Sequence, residues 1–130
     1  MADRLAELVD VRLASAGVAL VTLNLPQVRN AMTTELTAAW TTAMDQVAGD
    51  RSLRAVVVTG AGSAFCAGAD LSWFDQGNLS DNTPGRLRHK MLPFYRAWLV
   101  PQQIPVPVVA PSSHLRRQLT ACTGQKGRTA

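Results

Sequence analysis

The stretch Ala55-Val56-Val57-Val58-Thr59-Gly60-Ala61-Gly62-Ser63-Ala64-Phe65-Cys66-Ala67-Gly68-Ala69-Asp70-Leu71 narrows the folds open to this chain more than any other. Three consecutive β-branched residues predict a strand buried on both faces, and the two glycines, serine and alanine that follow stop it within a few residues. The end of the strand is thereby left with little side-chain bulk. Phe65 and Cys66 return the chain to an apolar environment. Ala67-Gly68-Ala69 then supplies small residues whose backbone N–H groups a ligand can approach closely. Asp70 falls where a helix N-cap would fall. The plain alternative is a tight strand-to-helix connection that holds no ligand.

Around this stretch the chain is organised as one domain. At 130 residues, with 47% hydrophobic and 17% charged residues, it has material for one packed core and not two. Leu8 to Leu13 and Val18 to Asn24 are β-rich runs about a short Ser15-Ala16-Gly17 connection, which predicts a hairpin. Pro26 removes a ladder donor and ends the second run, while Asn30 and Thr33 are residue types that start helices. The helix that follows places Leu36, Trp40, Ala43 or Met44, and Val47 on one face, and Gly49-Asp50-Arg51 ends it. Gln76 to Gly85 reads as a polar loop. Leu87, Met91, Phe94 or Tyr95, and Trp98 then define a second helix, an aromatic stripe of core type with Pro93 expected to kink it. His89, between Arg88 and Lys90, falls on the solvent side and is assigned no chemistry.

Charge and cysteine usage exclude several classes. Residues 1 to 110 hold nine Lys or Arg against nine Asp or Glu, so the net charge of +4 comes from Arg116, Arg117, Lys126 and Arg128. That tail contains no aromatic residue, which argues against a nucleic-acid surface. The N-terminus lacks an apolar run behind a basic start and no segment approaches a membrane span, so a cytoplasmic location is expected. Cys66 and Cys122 are the only cysteines. Cys66, among Ala, Phe and Gly, reads as a buried free thiol, and no metal ligands are assigned.

Two motifs, Phe65-Cys66-Ala67-Gly68-Ala69-Asp70-Leu71 after a strand and glycine turn and Leu23-Asn24-Leu25-Pro26 followed by Asn30-Ala31-Met32, resemble the crotonase family, the enoyl-CoA hydratases and isomerases. Ile104 to Ala110 is similar to that family's Pro-Val-x-Ala strand, so the resemblance runs from about Val9 to Ala110. It implies an α/β fold, a partial crotonase-like β-β-α spiral incomplete at the C-terminal side. It also implies an acyl-CoA thioester substrate of the fatty acid β-oxidation type, with coenzyme A as part of the substrate and no separate cofactor. Family members are commonly homotrimers or hexamers.

By the same resemblance the backbone N–H of Ala69 forms half of an oxyanion hole for the thioester carbonyl. Ala67, Gly68, Ala69, Asp70 and Leu71 lie beside the pantetheine and adenine, and Gln27, Val28 and Arg29 pass over the nucleotide end of coenzyme A, mostly through their backbone. Two readings of the Arg29 side chain stand, a phosphate partner and a solvated loop charge. Asp70 likewise reads as a helix cap or as a ligand contact.

The resemblance stops after Ala110. The family continues into an alanine- and glycine-rich turn holding the second oxyanion N–H, then a helix holding the catalytic carboxylates. This chain instead reads Pro111-Ser112-Ser113-His114-Leu115-Arg116-Arg117 and onward without an acid. Residues 1–110 are accordingly read as the N-terminal part of a crotonase-like domain. Residues 111–130 are read as a basic non-family tail, disordered and out of frame, which the nucleotide sequence across the Ala110 codon tests. Only Glu7 and Glu35 are available as glutamates, and neither falls where the family places a catalytic group.

Losing one oxyanion donor costs about 10²–10³ in rate. Losing a general acid or base costs about 10²–10⁴. The expectation is therefore a chain that is not a competent hydratase alone, or half of a split hydratase restored by a partner chain carrying the C-terminal half. Two other classes fit the sequence less well. A dinucleotide-binding turn at Gly60-Ala61-Gly62 would have its third glycine at Phe65 and no long helix after it. A basic-tailed binding module is the remaining option.

Overall fold

The computed structural model describes residues 2–70 and 83–111. The expectations for Leu71, for a short helix over Leu71 to Phe74, for the polar run up to Asn82, for Cys122 and for the basic tail lie outside the described residues. In chain order the elements are α1 (Ala2–Leu8), β1 (Val9–Ala14), β2 (Val18–Leu23), α2 (Thr34–Gly49), β3 (Ala55–Gly60), α3 (Pro84–Trp98) and β4 (Val108–Val109). The strands form one sheet in the order β1-β2-β3-β4.

The hairpin forms as its alternation predicts. β1 and β2 pair antiparallel from Val9↔Leu23 to Ala14↔Val18, and Ala16 and Gly17 take left-handed φ of 65° and 77° to close the three-residue connection. Along β2, Ala19, Val21 and Leu23 are buried while the residues between them are half-exposed. One face of the sheet therefore meets the core. α2 crosses from β2 to β3, which makes those two strands parallel, from Val18↔Ala55 to Leu23↔Gly60. It covers the buried face with Leu36, Ala39, Trp40, Ala43, Met44 and Val47, the face its spacing predicts. Leu23, Leu36, Val21 and Val56 are almost fully buried, and each such side chain contributes about 1.5–3 kcal/mol through burial alone.

β3 departs from the expectation of burial on both faces. Val56 and Val58 are buried, but Val57 between them is only half-buried, because α2 lies against one side of the sheet. Thr33, not Asn30, caps α2. The Thr33 Oγ1 accepts the Leu36 N–H at 3.1 Å. α1 is an element that the charge of the first residues does not reveal. Ala, Arg, Leu and Glu are strong helix formers, and Leu5 and Leu8, three apart, pack against the core.

α3 runs unbroken from Pro84 to Trp98 with Pro93 inside it, so Pro84 and Gly85 belong to the helix rather than to the loop before it. Phe94 is its buried residue, and Tyr95 is 50% exposed. Trp98 stacks on Trp40 with ring centroids 4.9 Å apart. The Trp40 Nε1–H donates to the Ala97 carbonyl at 3.0 Å and the Trp98 Nε1–H to the Thr37 hydroxyl at 3.1 Å. This reciprocal pair fastens α3 to α2. His89 is exposed, as expected. β4 is short and pairs parallel to β3 through Val56↔Val108 and Val57↔Val109.

Candidate active site

Because β2 and β3 are parallel neighbours, the loops that follow them leave the sheet at one edge, outside the carboxyl ends of the strands, where ligands of α/β sheets gather. The first loop, residues 24–33, turns at Pro26–Val28 in a single 3-10 turn. Arg29 and Asn30 then both take a left-handed φ of 55°. The second loop, residues 61–70, begins with the Ala61 N–H donating to the Leu23 carbonyl at 2.8 Å.

The two loops run side by side. The Ala67 N–H donates to the Arg29 carbonyl at 3.0 Å, and the Met32 N–H to the Gly68 carbonyl at 2.9 Å. Met32 and Ala69 form an isolated parallel bridge. In such a bridge Met32 bonds the peptide groups flanking Ala69, so the Ala69 N–H points to the opposite side. Gly68 has φ +93°, a conformation that L side chains rarely adopt, and a Cβ built there meets nothing within 4 Å. Its glycine is required by conformation and not by space.

Asn30 is fully buried at the junction. Its Oδ1 accepts the Leu25 N–H at 2.8 Å, and its Nδ2 donates to the carbonyls of Ala61 at 3.0 Å and Ala64 at 2.9 Å. Directly beneath lies Gly60, where a Cβ would come within 2.4 Å of the Phe65 carbonyl oxygen and 2.7 Å of the Asn30 Nδ2. Close packing of backbone on backbone is what this glycine permits.

Beside the second loop opens a groove of about 630 Å³, lined by Met32, Trp40, Phe65, Cys66, Trp98 and Ala110 among others. The ends of β3 and β4 face it through Val58 and Val108. Cys66 is a free thiol, half-buried in the groove wall rather than buried outright. Its sulfur accepts the Gly68 N–H at 3.4 Å. Among the described residues the lining contains no Asp, Glu or His. Glu7 in α1 and Glu35 in the first turn of α2 are both exposed. Among the described residues no cluster of three or more His, Cys, Asp or Glu could hold a metal ion, and no helix is long and apolar enough to cross a membrane.

The residues singled out from sequence are thus distributed in two groups that the structure joins. Gln27, Val28 and Arg29 are exposed on the first loop; Ala67 is exposed, and Gly68, Ala69 and Asp70 are half-buried, on the second. The bonds from Ala67 to Arg29 and from Met32 to Gly68 hold the groups against each other. Sequence reasoning missed the part played by Asn30, which it took as a helix-starting residue. The available signal was an asparagine one residue after a solvent-type arginine in a proline-ended loop, a place where left-handed backbone is common. From sequence, Trp40 and Trp98 are visible only as helical spacing and Met32 only as part of the Asn30-Ala31-Met32 motif, none of them as groove lining.

Comparison with known proteins bears on the fold and the family. A Mycobacterium tuberculosis protein named as a probable enoyl-CoA hydratase is 51% identical over 71 residues, 55% of this chain and 28% of that protein. Among solved structures, an enoyl-CoA hydratase from Mycobacterium smegmatis matches with a TM-score of 0.66 at 32% identity, over 81% of this chain and 39% of its own. One from Bacillus anthracis matches with a TM-score of 0.68 at 27% identity, over 82% of this chain and 40% of its own. The chain therefore spans about two-fifths of the solved relatives it matches. A family profile described as enoyl-CoA hydratase/isomerase matches residues 14–112, and by that match the chain belongs to the enoyl-CoA hydratase/isomerase family.

Proposed function

We propose that the paired loops and the apolar groove form part of an acyl-CoA thioester site in which the Ala69 N–H polarises the thioester carbonyl. The observation that carries this reading is the Met32–Ala69 bridge, which turns the Ala69 N–H away from Met32 between small neighbours. A donor held in place before the reaction needs no reorganisation when charge develops on the carbonyl oxygen. The acyl chain is assigned to the groove beside Phe65 and Cys66. Gln27, Val28 and Arg29 are assigned to the nucleotide end of coenzyme A, with the Arg29 guanidinium a phosphate partner, and Ala67, Gly68 and Asp70 to the pantetheine side.

Polarisation alone does not hydrate a double bond. Water must be deprotonated and a carbon protonated, and among the described residues the groove lining offers no carboxylate or imidazole for either transfer. We infer that residues 1–130 by themselves bind an acyl-CoA thioester without turning it over, at a cost of about 10²–10⁴ in rate for each missing proton-transfer group. Titration of tryptophan fluorescence tests the binding, since Trp40 and Trp98 line the groove. Butyryl-CoA should give a saturable change and NAD none; a preference for NAD would reverse the assignment.

A second reading starts from the groove, whose described lining carries no carboxylate or imidazole. In it, a separate chain supplies the turn and carboxylates and restores hydratase activity. Co-expression with the C-terminal part of a relative should then give a soluble complex with crotonyl-CoA hydratase activity. Insoluble, inactive product would remove that reading.

A further inference from the structure

We propose that Asn30 is a positioning residue, whose single carboxamide clamps the two loops together and so holds residues 67–69 in the orientation that aims the Ala69 N–H. That the aimed group meets a thioester rests on the function proposed above; the clamp itself does not. The side chain joins the first loop, at Leu25, to two points of the second, at Ala61 and Ala64. Its two flanks carry the remaining bonds, because the Arg29 carbonyl receives Ala67 and the Met32 N–H reaches Gly68. A shift of Asn30 therefore displaces the backbone partners of residues 67–69 on both sides at once.

Two independent demands converge on this residue type. A φ of 55° is open chiefly to Gly, Asn and Asp. Two carbonyls and one N–H as partners need a group with two donors and an acceptor, which a carboxamide has and an ionised carboxylate lacks. Glycine meets the first demand and aspartate the geometry, but only asparagine meets both. Gly60 supports the clamp from below, since a Cβ there would press on the Asn30 Nδ2 at 2.7 Å.

Amide hydrogen exchange on the full 130-residue chain, without ligand, tests the clamp in Asn30→Gly and Asn30→Asp. Asn30→Gly keeps the backbone conformation and removes the side chain, and Asn30→Asp keeps the shape and removes both donors. In each variant the Ala67 and Met32 amides should lose about tenfold or more of their protection, the scale of one hydrogen bond. Met44, Val47 and Val21 amides in the core should keep theirs. Unchanged protection at Ala67 and Met32 would overturn the proposal. So would an equal loss throughout α2 and the sheet, which would make Asn30 a general core residue.

A second readout follows position rather than stability. Asn30→Gly should bind butyryl-CoA and its carbonyl-free thioether analogue with similar affinity, whereas the unaltered chain prefers the thioester. Retained preference in Asn30→Gly would overturn the positioning role. A chain that shows the local exchange effect but binds neither compound would refute the proposed function and leave the clamp standing.

Discussion

The core between the sheet and α2 and the paired loops at the sheet's carboxyl edge are held by different physics. In the core, burial is spread over Val21, Leu23, Leu36, Trp40, Met44, Val47, Val56 and Val58, so no one side chain decides the arrangement and each loss is felt throughout. In the loops, Leu25, Phe65 and Cys66 pack against that core, but apolar burial does not set the path of the chain between them. Order comes instead from one buried carboxamide, two backbone bonds between strands of loop, and glycines that let main chain lie on main chain. The difference teaches that stability and site geometry are separable here. Damage to core residues away from the groove, such as Leu36, should lower global stability while sparing the site, and damage to the loops should do the reverse.

Substitutions can break that separation, beginning with the largest effect. Leu36→Ala leaves a cavity at a fully buried position and should lower unfolding free energy by about 2–5 kcal/mol in urea titration. Below the transition its butyryl-CoA binding should match that of the unaltered chain. Gly60→Ala forces a Cβ against two backbone carbonyls and the Asn30 amide. It should cost about 1–3 kcal/mol, the range for overpacking, with amide shift changes concentrated in residues 61–69. Gly68→Ala meets no neighbour but must hold φ near +93°. It should cost about 1–2 kcal/mol and weaken thioester binding out of proportion to that loss.

The smallest effect lies in neither region. At the C-terminal end of α2, the Asp50 carboxylate accepts the Ser52 hydroxyl at 2.6 Å and the Ser52 N–H at 2.9 Å. These bonds, the hydroxyl first, hold its carboxyl below the ordinary range. A depressed folded-state value means that its contribution is present above the ordinary carboxylate pKa and is lost as pH falls through the lower folded value. Thermal unfolding of Asp50→Asn against the unaltered chain should therefore show a small difference at pH 7 that disappears on acidification. Because Asp50 is partly exposed at the helix end, solvent screening keeps that difference slight.

How far the sequence discloses each region follows from the same physics. Periodic burial is a repeating signal, so the hairpin, the buried face of α2 and the strand β3 are visible in Val9 to Leu23, Leu36 to Val47 and Ala55 to Gly60. The burial of only one face of β3 was not visible, because a run of valines reads alike whether one or two layers cover it. α1 was hidden by its shortness, and α3 runs on through Pro93, the position where a kink is expected. In the site, Gly60, Gly68 and the small residues between them were legible as a turn of low bulk. Asn30 was not, since a buried hub and a helix start use the same residue type, and only its partners 31 and 34 positions away distinguish them.

An NMR titration that follows the Ala69 amide of the full chain tests the central claim most directly. With butyryl-CoA the Ala69 proton should move downfield and saturate, as a new hydrogen bond to the thioester oxygen requires, and with the thioether analogue it should stay in place. An Ala69 amide that does not move while other loop amides do, or that moves equally with both compounds, would contradict the account.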